Sequence, residues 1–170
     1  MNRHEDEYSR LFDMTVERYG PMIWRVCRSY ATPRASSDDM FQEVMASLWV
    51  GFKTFRGQAA LSTWVYRVTI NTCISFLRRN DSRILYSDFS DSVEIADEQT
   101  GYSNDDFSYL QYLISTLGAV DKAILLLWLE ERSYSEIADI TGLSANVIGT
   151  RLSRIRARLH EIWQKESENL

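Results

Sequence analysis

Residues 133–159 read SYSEIADITGLSANVIGTRLSRIRARL. Ser133 followed by Glu136 is a capping box, in which the Ser hydroxyl accepts an amide of the first turn and the Glu carboxylate returns to the amide of the cap. A helix therefore starts at Tyr134. Ile137, Ala138 and Ile140 carry it to Gly142, a residue that ends helices in the left-handed conformation. Ser144 then caps a second helix, predicted to run to about Gln164. Ala138 is small where two helices must cross closely, Gly142 makes the turn, and Ile148 plugs the space beneath the second helix. That combination is what a helix-turn-helix requires geometrically. On the second helix Ile148, Leu152, Ile155, Leu159 and Ile162 step by four and three and form the buried stripe. Asn146, Gly149, Thr150 and Ser153 are left facing outward near its N-terminal end, where a recognition helix meets base edges. Arg151, Arg154 and Arg158 flank that face and suit phosphates. An Arg-rich helix taken alone is more often a solvated face; the capped turn in front of this one favours DNA.

Working upstream, Leu110, Leu113, Ile114 and Leu117 predict one short helix, and Val120, Ile124, Leu127 and Trp128 a second. Before them SDFSDSVEIADEQTGYSNDD, residues 87–106, lacks apolar periodicity and is rich in Ser and Asp, the composition of a flexible tether. It divides the chain into residues 1–85, a linker over 86–106, and residues 107–170. The expected fold is all-α, with two small helical domains joined by a flexible acidic linker.

Charge follows the same division. The 170-residue chain carries a net charge of -5, which looks wrong for a DNA binder until it is read locally. Lys53, Arg56, Arg67, Arg78, Arg79 and Arg83 stand against Asp81 alone; Asp88, Asp91, Glu94, Asp97, Glu98, Asp105 and Asp106 then form a polyanion; Arg151, Arg154, Arg156 and Arg158 follow. Two basic blocks flank an acidic connector. With 45% hydrophobic and 25% charged residues, the composition excludes disorder throughout. No apolar run approaches the roughly 20 residues of a membrane helix, and MNRHEDEYSR is charged where a signal peptide would be apolar. A cytoplasmic protein without membrane insertion is expected. Cys27 and Cys73 sit among apolar neighbours without metal-ligand spacing and read as isolated buried thiols.

The N-terminal block also reads as helices. Tyr8, Leu11, Phe12, Val16 and Tyr19, then Ile23, Val26, Cys27 and Tyr30, recur at helical spacing, with Gly20-Pro21 as the expected break between two helices. Ser36, Ser37, Asp38 and Asp39 place cap candidates and carboxylates ahead of Met40, Phe41, Val44, Leu48 and Trp49. Leu61, Trp64, Val65, Val68, Thr72 and Phe76 keep the helical period although several neighbours are β-branched.

The strings DDMFQEVMASLW, FRGQAALSTWVYR and SYSEIADITGLS carry a family resemblance. Residues 36–79 resemble region 2, and residues 117–160 region 4, of the extracytoplasmic-function (ECF) class of bacterial RNA polymerase sigma factors. The resemblance covers both domains in order and separation. It implies a transcription initiation factor with core RNA polymerase and promoter DNA as partners, admits an anti-sigma factor, and involves no small-molecule substrate. By that resemblance Asp38, Asp39, Gln42, Glu43, Leu48 and Trp49 form the polymerase-docking surface; the alternative for Asp38 and Asp39 is that they only serve the helix N-terminus, and Leu48 and Trp49 read at least as readily as core. Lys53, Phe55, Arg56, Gln58, Ser62, Thr63, Arg67, Asn71, Arg78 and Arg79 correspond to the part that opens the -10 element and holds an extruded base. Such work needs cations for the strand backbone and polar edges or aromatic faces for the base. Phe55 reads equally as core. Asn146, Gly149, Thr150, Arg151, Ser153, Arg154 and Arg158 correspond to the -35 reader, and the linker to a segment running near the RNA exit path.

Three positions depart from the family pattern: Gly149, where a basic or polar residue is usual, and Ile70 and Ser75, which replace a common Arg and Asp of the -10-reading helix. They bear on promoter sequence rather than on function. The carboxylates of Asp38, Asp39 and Glu43 have no His, Lys or nucleophile beside them, so neither catalysis nor a cofactor is expected. A conventional regulator with an N-terminal sensor or dimerisation domain would use the same C-terminal unit, and a decoy that sequesters another factor would use the N-terminal one. The basic, aromatic block over residues 51–79 speaks against the first, and the intact recognition helix against the second.

Overall fold

In the computed structural model, residues 3–80 and 112–167 are described. They fall within two compact units, Met1–Ser82 and Arg83–Leu170. The expected linker over 86–106, together with Leu110 and Arg83, lies outside the described residues.

The first unit is a bundle of three mutually packed helices, α1 (Arg3–Tyr30), α2 (Ser37–Phe52) and α3 (Leu61–Asn80). The expected break at Gly20-Pro21 is absent, and α1 runs continuously through Pro21. Proline removes the amide that would bond the carbonyl of Glu17, but Glu17 and Pro21 are both exposed, so the loss falls on the solvent side of the helix. On the opposite face Met22, Ile23, Val26, Cys27 and Tyr30 are buried and hold the following turns in register. The chain reverses through Thr32–Ala35, whose backbones exchange hydrogen bonds of 3.0 and 3.1 Å, with Pro33 at the turn position its fixed φ favours. Ser36 then caps α2, its Oγ accepting the Asp39 amide at 3.1 Å.

Met40, Val44 and Leu48 of α2 face Val65, Tyr66, Thr69, Ile70, Cys73 and Leu77 of α3 in this core. Each fully buried aliphatic or aromatic side chain contributes about 1.5–3 kcal/mol relative to exposure, so the helical period is stabilised by tertiary packing despite the β-branched content of α3. The buried Thr69 hydroxyl donates to the Val65 carbonyl at 2.8 Å and so leaves no orphaned polar group. Cys27 and Cys73 are buried as expected but not isolated: their sulfurs lie 3.8 Å apart across α1 and α3. Residues 46 positions apart in sequence give no local signal of such a meeting.

The second unit contains a helical stretch over 112–115, then α4 (Ala119–Leu129), α5 (Tyr134–Thr141) and α6 (Ala145–Ser167). Leu113, Ile114, Leu117, Ile124, Leu127, Ile137, Ile140, Ile148, Leu152 and Ile155 form its core. The expected capping box is complete: Ser133 Oγ accepts the Glu136 amide at 3.2 Å and Glu136 Oε2 accepts the Ser133 amide at 2.8 Å. Gly142 ends α5 at φ 77°, a conformation that costs a residue with a Cβ roughly 1–2 kcal/mol. Ser144 Oγ accepts the Val147 amide at 3.3 Å and starts α6. The buried stripe of α6 is shorter than expected, since Leu159 and Ile162 are only half-buried. Among the described residues there is no strand, and no helix is long and apolar enough to cross a membrane.

Candidate nucleic-acid interface

The exposed side of α3 is built by the same periodicity that builds its core. Arg67, Asn71, Ser75 and Arg78 recur every three or four residues and are all exposed, with Arg79 beside them at the helix end. The cations Arg78 and Arg79 occupy the last turn, where they also complement the helix dipole. Ser75 belongs to this stripe. Ile70 does not: it is buried on the opposite face, so it belongs to the core of the bundle and not to the reading surface. Ser62 and Thr63 are half-buried in the first turn.

The loop between α2 and α3 is anchored by aromatic packing. Lys53, Arg56 and Gln58 are exposed, and Gly57 adopts φ 70°. Phe55 is half-buried, its ring 4.9 Å from that of Trp64 and 6.2 Å from that of Phe52. It therefore serves the packing that shapes the loop. Gly51 makes the arrangement possible, because a Cβ there would lie 2.9 Å from Trp64 Cζ2.

On α2, Asp38, Asp39 and Gln42 are exposed, Glu43 is half-buried, and Trp49 is exposed while still packing edge-on against Tyr8 and Phe12. Leu48 is fully buried, so it supports this surface from beneath and cannot reach a partner. Glu43 accepts a hydrogen bond from Arg79 at 2.7 Å, joining one residue expected to face polymerase with another expected to face DNA.

In the second unit Asn146, Thr150, Ser153 and Arg154 are exposed along α6, and Arg158 is half-buried. Arg151 is tied to Asp121 of α4 at 2.6 Å, so it braces α6 against α4. Arg156 stacks over the Trp128 ring at 4.4 Å. Gly149 is half-buried, and a Cβ there would lie 3.4 Å from Tyr134 Cε2. Sequence reasoning missed two features of this face: the exposed Val147 and the Tyr134 ring across Gly149. Placing Val147 needed only the helical angle from Ile148; Tyr134 comes from another helix and left no local signal.

A capped helix-turn-helix with an exposed cationic second helix, preceded by a bundle with its own exposed basic stripe, defines a two-unit DNA-binding protein. Residues 15–83 match the model of sigma-70 region 2, and residues 107–159 that of sigma-70 region 4. The chain is 27% identical over 165 residues to the ECF RNA polymerase sigma factor SigM of Mycobacterium tuberculosis, covering 91% of this chain and 76% of that one. It is 27% identical over 161 residues to the ECF RNA polymerase sigma-E factor of Escherichia coli, covering 86% and 83%. Among solved structures, the sigma factor RpoE from Bartonella quintana, in complex with the anti-sigma factor NepR, superposes with a TM-score of 0.69 at 21% identity over 90% of this chain and 96% of that one. CnrH, in complex with the cytosolic domain of CnrY, gives 0.67 at 19% identity over 92% and 90%. The chain belongs to the sigma-70 family, in its ECF class. It is a transcription initiation factor.

Proposed function

We propose that the two units divide promoter recognition as follows. The unit over residues 1–85 docks on core RNA polymerase through Asp38, Asp39, Gln42, Glu43 and the exposed Trp49. It holds the unpaired -10 strand with Lys53, Arg56, Gln58, Arg67, Asn71 and Arg78. The unit over residues 107–170 reads the -35 element with Asn146, Thr150 and Ser153, while Arg154 and Arg158 add charge toward the backbone. The observation that carries this reading is the exposed stripe Arg67, Asn71, Ser75 and Arg78 on α3: cations for a phosphate backbone alternate there with an amide and a hydroxyl able to meet base edges. A regulator that binds only duplex operators has no use for such a surface in its first unit.

The chain acts by binding and positioning, with no catalytic step of its own, and it works in the cytoplasm beside its template. RpoE in its complex with NepR and CnrH in its complex with CnrY support an anti-sigma partner for this chain as well. Runoff transcription with core polymerase on promoters selected from a genomic library tests the division of labour. Wild type yields promoter-dependent transcripts; Asn71→Ala loses open-complex formation with closed-complex binding retained; Arg154→Ala loses closed-complex binding at promoters that need their -35 element. Tight operator binding without polymerase and no polymerase-dependent transcript would overturn the reading.

A further inference from the structure

The face that α6 turns outward is less polar than its sequence suggests. At roughly 100° per residue, the buried line Ile148, Leu152 and Ile155 sets the opposite line at Asn146, Thr150, Ser153 and Ala157, all exposed. Thr150 donates its hydroxyl to the Asn146 carbonyl at 3.0 Å, so that donor is engaged within the helix. Val147 stands on one edge of this line and is 40% exposed. Gly149 stands on the other edge, where a Cβ would touch the ring of Tyr134 at 3.4 Å, and that ring is 41% exposed. At its N-terminal end the polar line led by the Asn146 amide is thus flanked on both sides by apolar surface, with the exposed Arg154 and Arg156 on the same two edges further along the helix.

In the major groove thymine alone presents a methyl group, and an Asn amide pairs with the donor and acceptor of adenine, whereas guanine is met most often by a guanidinium. We propose that α6 reads an A·T-biased -35 element, with thymine methyls packed against Val147 on one edge and against the Tyr134 ring on the other, and that these two residues determine specificity. The inference deepens the assignment of α6 as the -35 reader and rests on it. Gly149 acquires a role in this arrangement: with no side chain of its own it leaves the Tyr134 ring of α5 uncovered at the reading face. Arg154, exposed beside Val147 on the same edge, is left to the backbone.

The test uses the full chain with core polymerase. A library randomised across the -35 element, with a fixed -10 element, is enriched by holoenzyme binding. The recovered sequences are then resynthesised with deoxyuridine, which lacks only the methyl, in place of each thymine. Enrichment of thymines and a loss of about fourfold in binding per contacted methyl are expected, since that is the worth of one buried methyl-sized group. Val147→Ala should abolish the difference between thymine and deoxyuridine at one position, and Tyr134→Ala at another, each lowering binding on the thymine template to the level of the deoxyuridine one. Gly149→Arg, whose side chain meets the Tyr134 ring, should move preference at that step from A·T to G·C. An enriched element that binds equally with deoxyuridine throughout, or variants that lose thymine and deoxyuridine templates alike, overturns the methyl reading and leaves α6 as the -35 reader. A library that enriches no -35 sequence while -10-dependent transcription persists overturns both.

Discussion

Lys122 illustrates how much a single side chain can set against the fold of so small a unit. Its residue is 7% exposed, and burial lowers its ammonium pKa from 10.5 to about 8. Because the folded value lies below the unfolded one, the unfolded chain binds the extra proton between these limits and stability rises with pH there. Below pH 8 the full cost applies, up to about 3 kcal/mol. Lys122→Met is therefore expected to remove this rise of stability between pH 8 and 10.5; thermal melts across that range check it. Gly51 makes the opposite prediction. Gly51→Ala forces a Cβ to within 2.9 Å of the Trp64 ring, and overpacking of this kind costs about 1–3 kcal/mol, measurable by urea denaturation. The thiols of Cys27 and Cys73 meet at 3.8 Å in a fully buried site, and their mutual hydrogen bond and burial push the Cys73 thiol far up. A thiol sealed in an apolar core is out of a reagent's reach, so both should resist a chromogenic disulfide reagent in native protein and react fully once it is unfolded.

At the scale of elements, the α5–α6 turn depends on its caps. Glu136 accepts hydrogen bonds from the Ser133 amide and from Arg132, and these lower its carboxyl pKa. A carboxylate so depressed stabilises the fold above its ordinary titration range and loses that contribution as pH falls through the folded value. Ser133→Ala removes one half of the box and is expected to destabilise the second unit by about 1 kcal/mol, read by the loss of its melting transition at lower temperature. This cap was legible in the sequence because all its parts lie within four consecutive residues, and α4, α5 and the start of α6 followed from local period. The continuity of α1 through Gly20-Pro21 was not, because the residues that override proline do so through contacts with α2 and α3 rather than through their neighbours in sequence. Leu48 and Ile70 show the same limit: a family pattern marks them as part of a functional stretch, but only packing tells that each faces inward. Arg151 reads as a phosphate ligand until Asp121, 30 residues away, is found beside it.

For the molecule as a whole, charge is segregated rather than balanced. The net value of -5 leaves free chain poorly attracted to DNA, and on the proposed division of labour one polymerase holding both units would supply an effective concentration that neither possesses alone. Each phosphate contact releases about one counterion, so Arg67→Ala and Arg154→Ala should each lower the salt dependence of holoenzyme–promoter binding by about one unit of slope, measured by titration across salt concentrations. Additive effects in the double variant mark the two as independent contacts. The Glu43–Arg79 bond has a consequence of a different kind, for the exchange of parts between relatives. Its two ends come from α2 and α3, on either side of the loop at 53–60. A hybrid gene joined within that loop would inherit each charge from a different parent and leave one or both unmatched, whereas a junction upstream of α2 or downstream of α3 would carry the pair intact. Builders of orthogonal promoter systems should therefore treat α2, the loop and α3 as one indivisible cassette.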